Sequence, residues 1–176
     1  MDLLRFVRPA PRPLRQATGL SRAEAWLRDE PVVWLGTVDS DGHPHVVPTW
    51  FSWDGESLWV FSKPNAVKVR NVRREPRVTL ALGDALDDFD VQLIHAVAEV
   101  PEARTAEVLP RRHWKKYGTR LADAGISRRD YVETYSQPIR IRPTRYLPWH
   151  GRGRRWAAPA GRTAARPLAR PRPALA

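Results

Sequence analysis

Two lysines carry the first chemical signal. An apolar strand, Ser57-Leu58-Trp59-Val60-Phe61, ends at Ser62, and Lys63 and Lys68 follow within six residues. The spacing predicts a helix of about ten residues that starts near Asn65 and stops at Pro76. The first turn of a helix gathers unbonded N–H groups and the positive end of the dipole, so extra cations there are unfavourable. A bound anion, most simply a phosphate, resolves that conflict. Asn65, Lys68 and Asn71 recur every three residues, a polar strip beside Val69 and Val72. A solvated basic helix would have the same composition, and the lysines alone do not separate the two.

A second candidate contact is Trp50. It follows Pro48-Thr49, where proline removes a ladder donor and leaves backbone groups free to face a ligand. Other chemistries find less support. His43 and His45 share one face of a strand, but no third ligand stands at a metal-binding spacing, and His95, His113 and His150 are isolated. No metal site is therefore expected. The chain has no cysteine, no Gly-x-Ser-x-Gly elbow, no dinucleotide fingerprint and no Walker A lysine. A nucleotide-like cofactor would need a different fold.

The elements that must position these residues are mostly strands. Ser21 and Glu24 form a capping box for a helix that Pro31 ends. Val32 to Val38 is a continuous apolar run, read as a strand covered on both faces. After the turn Asp39-Ser40-Asp41-Gly42, His43 to Trp53 returns as a strand placed at an edge or bulged by Pro48. Ser57 to Ser62, Val78 to Leu82 and Val91 to Val100 follow, the last two separated by the acidic loop Gly83 to Asp90. Residues 105–135 read as helical, broken around Gly118 and Gly125 with Ser127 as a cap, and Gln137 to Leu147 supplies the last strand. The fold class is mainly β: a six-stranded antiparallel barrel with flanking helices.

Charge divides the chain into three. The net +11 falls as +3 on residues 1–17, +1 on residues 18–150 and +7 on residues 151–176, where seven arginines meet no acid. The middle segment is the folded domain, the first a flexible arm, and the Arg/Pro/Ala-rich last a disordered tail. A nearly neutral body argues against nucleic-acid binding except through that tail. No run approaches the roughly 18 apolar residues of a membrane span, and no signal segment opens the chain, so no membrane contact and a cytoplasmic location are expected. Eight tryptophans are many for this length, and most are expected in the core or at a dimer interface.

Several of these stretches together resemble a known family. Trp34-Leu35-Gly36-Thr37-Val38-Asp39, Asp41-Gly42-x-Pro44-x-Val46-Val47-Pro48, Trp53-Asp54-Gly55, Lys68-Val69-Arg70-Asn71-Val72-Arg73-Arg74, Pro76-Arg77-Val78 and Tyr135-Ser136-x-Pro138-Ile139-Arg140-Ile141-Arg142-Pro143-Thr144-Arg145 are similar to the pyridoxamine 5'-phosphate oxidase-like split β-barrels. More narrowly, they resemble its actinobacterial branch that uses the deazaflavin coenzyme F420. The resemblance covers about residues 20–150. It implies a homodimer of FMN-binding split-barrel type with cofactors at the subunit interface. The ring would lie along Val47, Pro48, Thr49 and Trp50, and the phosphate would be held by Ser62 and Lys68 with Lys63 and Asn71 as helpers. Flavin-using members carry Ser-Arg-Lys where this chain has Ala66-Val67-Lys68, which weakens the case for FMN. Residues that would bind pyridoxal phosphate are not evident.

The resulting expectation is an oxidoreductase in which reduced F420 gives hydride to a small, conjugated or planar organic substrate. The coenzyme would carry the difficult chemistry, consistent with the lack of a nucleophile or metal motif. The alternatives are an FMN enzyme of the same fold and a non-catalytic flavin-binding or deazaflavin-binding module.

Overall fold

The structure, a computed structural model, describes residues 20–84 and 90–149. The arm 1–17, the tail 151–176, His150 and Trp156 therefore lie outside the described residues.

Among the described residues five helices and seven strands follow in the order α1 (Leu20–Asp29), β1 (Val33–Val38), β2 (Pro44–Thr49), β3 (Ser52–Trp53), β4 (Leu58–Ser62), α2 (Val67–Arg74), β5 (Arg77–Asp84), β6 (Asp90–Glu99), α3 (Thr105–Val108), α4 (Arg111–Asp123), α5 (Arg128–Thr134) and β7 (Gln137–Trp149). The strands form one sheet in the order β2-β1-β5-β6-β7-β4-β3, and all its pairs are antiparallel. The two edge strands, β2 and β3, are neighbours in sequence, joined only by Trp50-Phe51. Three Cα steps reach about 11 Å at most. The sheet must therefore curl until its edges nearly meet, and the result is a split barrel.

Seven strands replace the expected six because His43 to Trp53 is two strands, not one. Pro48 sits in edge strand β2 opposite Trp34, where its missing N–H breaks no further ladder. Beyond it the chain leaves the sheet at Trp50, and the backbone groups of Phe51 pair with a side chain instead. The Tyr117 hydroxyl accepts the Phe51 N–H at 3.0 Å and lies 2.8 Å from the carbonyl oxygens of Phe51 and Pro31. Another irregularity falls in the β6–β7 pairing between His95 and Ala96, where Pro143 faces Ala96 and the Thr144 hydroxyl donates to the His95 carbonyl.

Inside the curl, alternate residues of β1, β4, β5, β6 and β7 meet: Val33 and Leu35, Leu58 and Val60, Val78 and Leu80, Ile94, Ala96 and Ala98, Ile139 and Ile141, closed by Leu27 of α1 and by Val69 and Val72 of α2. A second cluster lies outside the barrel beneath α4 and α5, built from Phe61, Tyr117, Leu121 and Tyr131. The helical stretch differs from its sequence reading. Gly118 lies within α4, whose 13 residues run through it, and the breaks fall at Leu109-Pro110 and around Gly125, whose φ of 68° favours glycine. Ser127 does cap α5, accepting the Asp130 N–H at 3.1 Å.

None of the six tryptophans whose burial the structure describes is fully buried, although Trp26 and Trp53 pack against the barrel core. Trp34 is 51% exposed, Trp26, Trp50, Trp53, Trp59 and Trp114 are half-buried, and the largest fully buried side chains are aliphatic residues, Phe51, Tyr117 and His113. No described helix is long and apolar enough to cross a membrane.

Candidate functional site

A cavity of about 700 Å³ opens where the barrel splits. Pro48, Thr49 and Trp50 form one wall at the end of β2, and Phe61 and Ser62 at the end of β4 form another. Lys63, Asn65, Ala66 and Lys68 bring in the start of α2, and Leu121 of α4, Ile126 of the loop that follows, Tyr131 of α5 and its C-cap Tyr135 line the other side. This size suits a small-molecule ligand.

The polar end is at α2. The helix begins at Val67, two residues later than its sequence suggests, because Lys63 to Ala66 close a turn in which the Ala66 N–H donates to the Lys63 carbonyl. Ala66 stands at the cap position and offers no side-chain acceptor, so the N–H groups of the first turn have no side-chain cap. The Ser62 hydroxyl beside them is buried and has no hydrogen-bond partner among the described residues. Lys68 is half-buried; burial lowers its pKa, and no carboxylate acts against that shift. An uncapped helix start, an unpartnered hydroxyl and an unpaired ammonium converge on one corner. Their common complement is an anion with several acceptor oxygens.

The apolar end is held by aromatic stacking. The Trp50 and Tyr117 rings stack at 4.6 Å with 9° between planes, and the same Tyr117 hydroxyl pins the backbone of Phe51. Behind it His113 is fully buried, its Nδ1 3.0 Å from Ser52 Oγ, and packed edge-on against Phe61 and Trp114. Burial and the nearby Lys116 push its pKa down to about 4. Tyr131 packs against His113, Trp114 and Tyr135 and presents its ring at the cavity, with its pKa raised by burial.

Six of the eight sequence-derived residues, Pro48, Thr49, Trp50, Ser62, Lys63 and Lys68, line this one cavity. Val47 and Asn71 do not. Val47 pairs with Leu35 in β2, while Asn71 turns inward, is 5% exposed, and donates from Nδ2 to the Thr37 hydroxyl at 3.0 Å. The three-residue strip Asn65-Lys68-Asn71 is thus split, because Asn71 lies between the buried Val69 and Val72 side of α2 and β1. Sequence reading missed Asn65 as a wall residue, and it missed Tyr131 and Tyr135 altogether. The signal for the tyrosines is their four-residue spacing, which puts Tyr131 of α5 and its C-cap Tyr135 on one side. Asp39, Asp41 and His43 also gather at the first hairpin, but there Asp39 already accepts the N–H groups of Asp41 and His43.

The sequence profile of the pyridoxamine 5'-phosphate oxidase family matches residues 21–150. The chain belongs to that family. No curated protein matches the sequence. Among solved structures, an F420 reductase is 26% identical, with 70% of this chain and 94% of that chain covered and a TM-score of 0.57. A conserved hypothetical protein from Mycobacterium tuberculosis is 24% identical over 81% of this chain and 91% of its own, with a TM-score of 0.59. A FAD-binding protein from Mesorhizobium loti is 20% identical over 72% and 89%, with a TM-score of 0.53. The latter two share the fold.

Proposed function

We propose that the protein is a cytoplasmic oxidoreductase that binds reduced coenzyme F420 in the split-barrel cavity and passes hydride to a small planar organic acceptor. The observation that carries this reading is the buried, unpartnered Ser62 hydroxyl beside Lys68 and the uncapped start of α2. These groups would hold the cofactor phosphate, with Lys63 at the rim. Pro48, Thr49 and Trp50 would flank the ring, with Trp50 kept in place by Tyr117. When bound, the reduced deazaflavin supplies the hydride. The chain's own residues orient it and exclude water, and Phe61, Leu121, Ile126 and Tyr131 offer the acceptor an apolar, partly aromatic surface. Tyr131 and Tyr135 bring phenolic hydroxyls to that cavity and are the candidate sources of the accompanying proton.

The choice of F420 over FMN draws support from the solved F420 reductase and from Ala66-Val67, which put no second cation or hydroxyl before Lys68. A homodimer fits the outer face. Trp34 and Val46 are exposed and lie on one face of β1 and β2 with Pro48, which also lines the cavity. A second copy seated there would cover an apolar strip and reach the cavity rim. Steady oxidation of reduced F420 by a panel of enones, quinones and nitroaromatics tests the reading. Tight F420 binding without turnover of any acceptor would favour a carrier module, and preference for FMN would favour a flavin enzyme.

A further inference from the structure

A second cavity, of about 820 Å³, lies on the other side of the Trp50-Phe51 step, between α1, β3 and α4. Lys116 faces it. The Nζ of Lys116 is buried and has no hydrogen-bond partner among the described residues. Its nearest neighbours are aromatic faces, with the centre of Phe51 at 3.9 Å and that of Tyr117 at 5.7 Å. A ring face favours a cation but takes none of its three N–H groups in a full hydrogen bond. Asp29 and Glu30 at the end of α1 act on Lys116 only from a distance, and burial outweighs them, lowering its pKa to about 8. Of the other acids that line the cavity, Glu24 does not reach the Lys116 ammonium, and Asp54 is already occupied by the N–H groups of Glu56 and Ser57 and by the Trp59 indole.

Composition makes an independent point. Only four of the thirty basic residues are lysines. Lys63 and Lys68 line the first cavity, and Lys115 and Lys116 line the second. Arginine is the basic residue everywhere else, yet lysine, a compact charge that can shed its proton when desolvated, stands where the two cavities are walled.

We propose that the second cavity binds a small molecule bearing an oxyanion, a carboxylate or a phosphate, whose oxygens accept from Lys116 between Arg28, Arg112 and Lys115. Arg112 is fixed for that task by donating to the Trp53 carbonyl at 2.6 Å, and the Trp53 ring lines the same cavity beside it. The ligand supplies the acceptors that the fold withholds from Lys116. This site does not depend on what the first cavity binds.

Protein labelled with carbon-13 at lysine Cε gives one signal per lysine, and Lys116→Arg assigns the one that matters. Inorganic phosphate and benzoate, titrated at constant ionic strength, are expected to move the Lys116 signal saturably. They are also expected to raise its midpoint pH by about one unit, a tenfold preference for the charged form. The same response in a Lys68→Ala background separates this site from the first cavity. Response to only one probe identifies the oxyanion class. A Lys116 signal unmoved by both at about 50 mM, enough to fill a millimolar site, overturns the proposal, as does an equal shift with chloride.

Discussion

Two buried clusters lie on opposite sides of β4, and they are built from different chemistry. The buried residues of the barrel interior, from Leu27 to Ile141, are aliphatic apart from Phe51, and none of them is titratable. The cluster under α4 and α5 is aromatic and includes groups with strongly shifted pKa values, Tyr117 and Tyr131, around the buried His113. The first fixes where the strands run. The second walls the first cavity through Phe61, Leu121 and Tyr131 and holds the backbone step at Phe51 through Tyr117. Scaffold and site are therefore separable, and mutations should sort accordingly.

The largest effect is expected in the scaffold. Leu80→Ala removes a fully buried side chain at the centre of the sheet and should cost about 2–5 kcal/mol. A urea melt measures it, and cofactor affinity of the fraction still folded should be unchanged.

Acid should act through the other cluster. His113 is held neutral down to about pH 4 by burial and by Lys116. An unfolded chain protonates it near 6.5, so between these values the unfolded state takes up a proton that the folded state refuses. Stability therefore falls as pH drops through this window, by about 2 kcal/mol at pH 5. The drop between pH 7.5 and 5 should shrink in His113→Gln; an equal drop in the variant would assign acid sensitivity elsewhere.

Tyr117→Phe keeps the ring stacked on Trp50 but strands the Phe51 N–H. It should cost about 1–3 kcal/mol and, unlike Leu80→Ala, weaken cofactor binding by loosening the Trp50 wall. Unaltered binding would show that the wall does not depend on that hydroxyl. The smallest effect is a gain: nothing lies within 4 Å of a methyl added at Gly118, so Gly118→Ala should stabilise the protein by about 0.5–1 kcal/mol.

The division between clusters also decides what the sequence could reveal. Strand alternation around Leu80, Ile94 and Ile139 is a local pattern, and it places the barrel interior without any knowledge of tertiary contacts. Lys63 and Lys68 are legible for the same reason, since a helix start is local. The break at Trp50-Phe51 is not, because the hydroxyl that makes it possible comes from Tyr117, sixty-six residues away. Asn71 was misplaced because helical spacing puts it beside Lys68, whereas the partner that draws it inward, Thr37, lies on β1. Glycine's low helix propensity suggests a break at Gly118, but the buried His113, Tyr117 and Leu121 around it outweigh that.

The central claim is that the Ser62–Lys68 corner holds the phosphate of a deazaflavin. Fluorescence titration with F420 and, separately, FMN, on the natural chain and on Lys68→Ala, tests it directly. The account predicts micromolar or tighter F420 binding, much weaker FMN binding, and a loss of about 1.5–3 kcal/mol in the variant, the scale of a charge-assisted hydrogen bond. An F420 dissociation constant that is the same with and without Lys68 would contradict it.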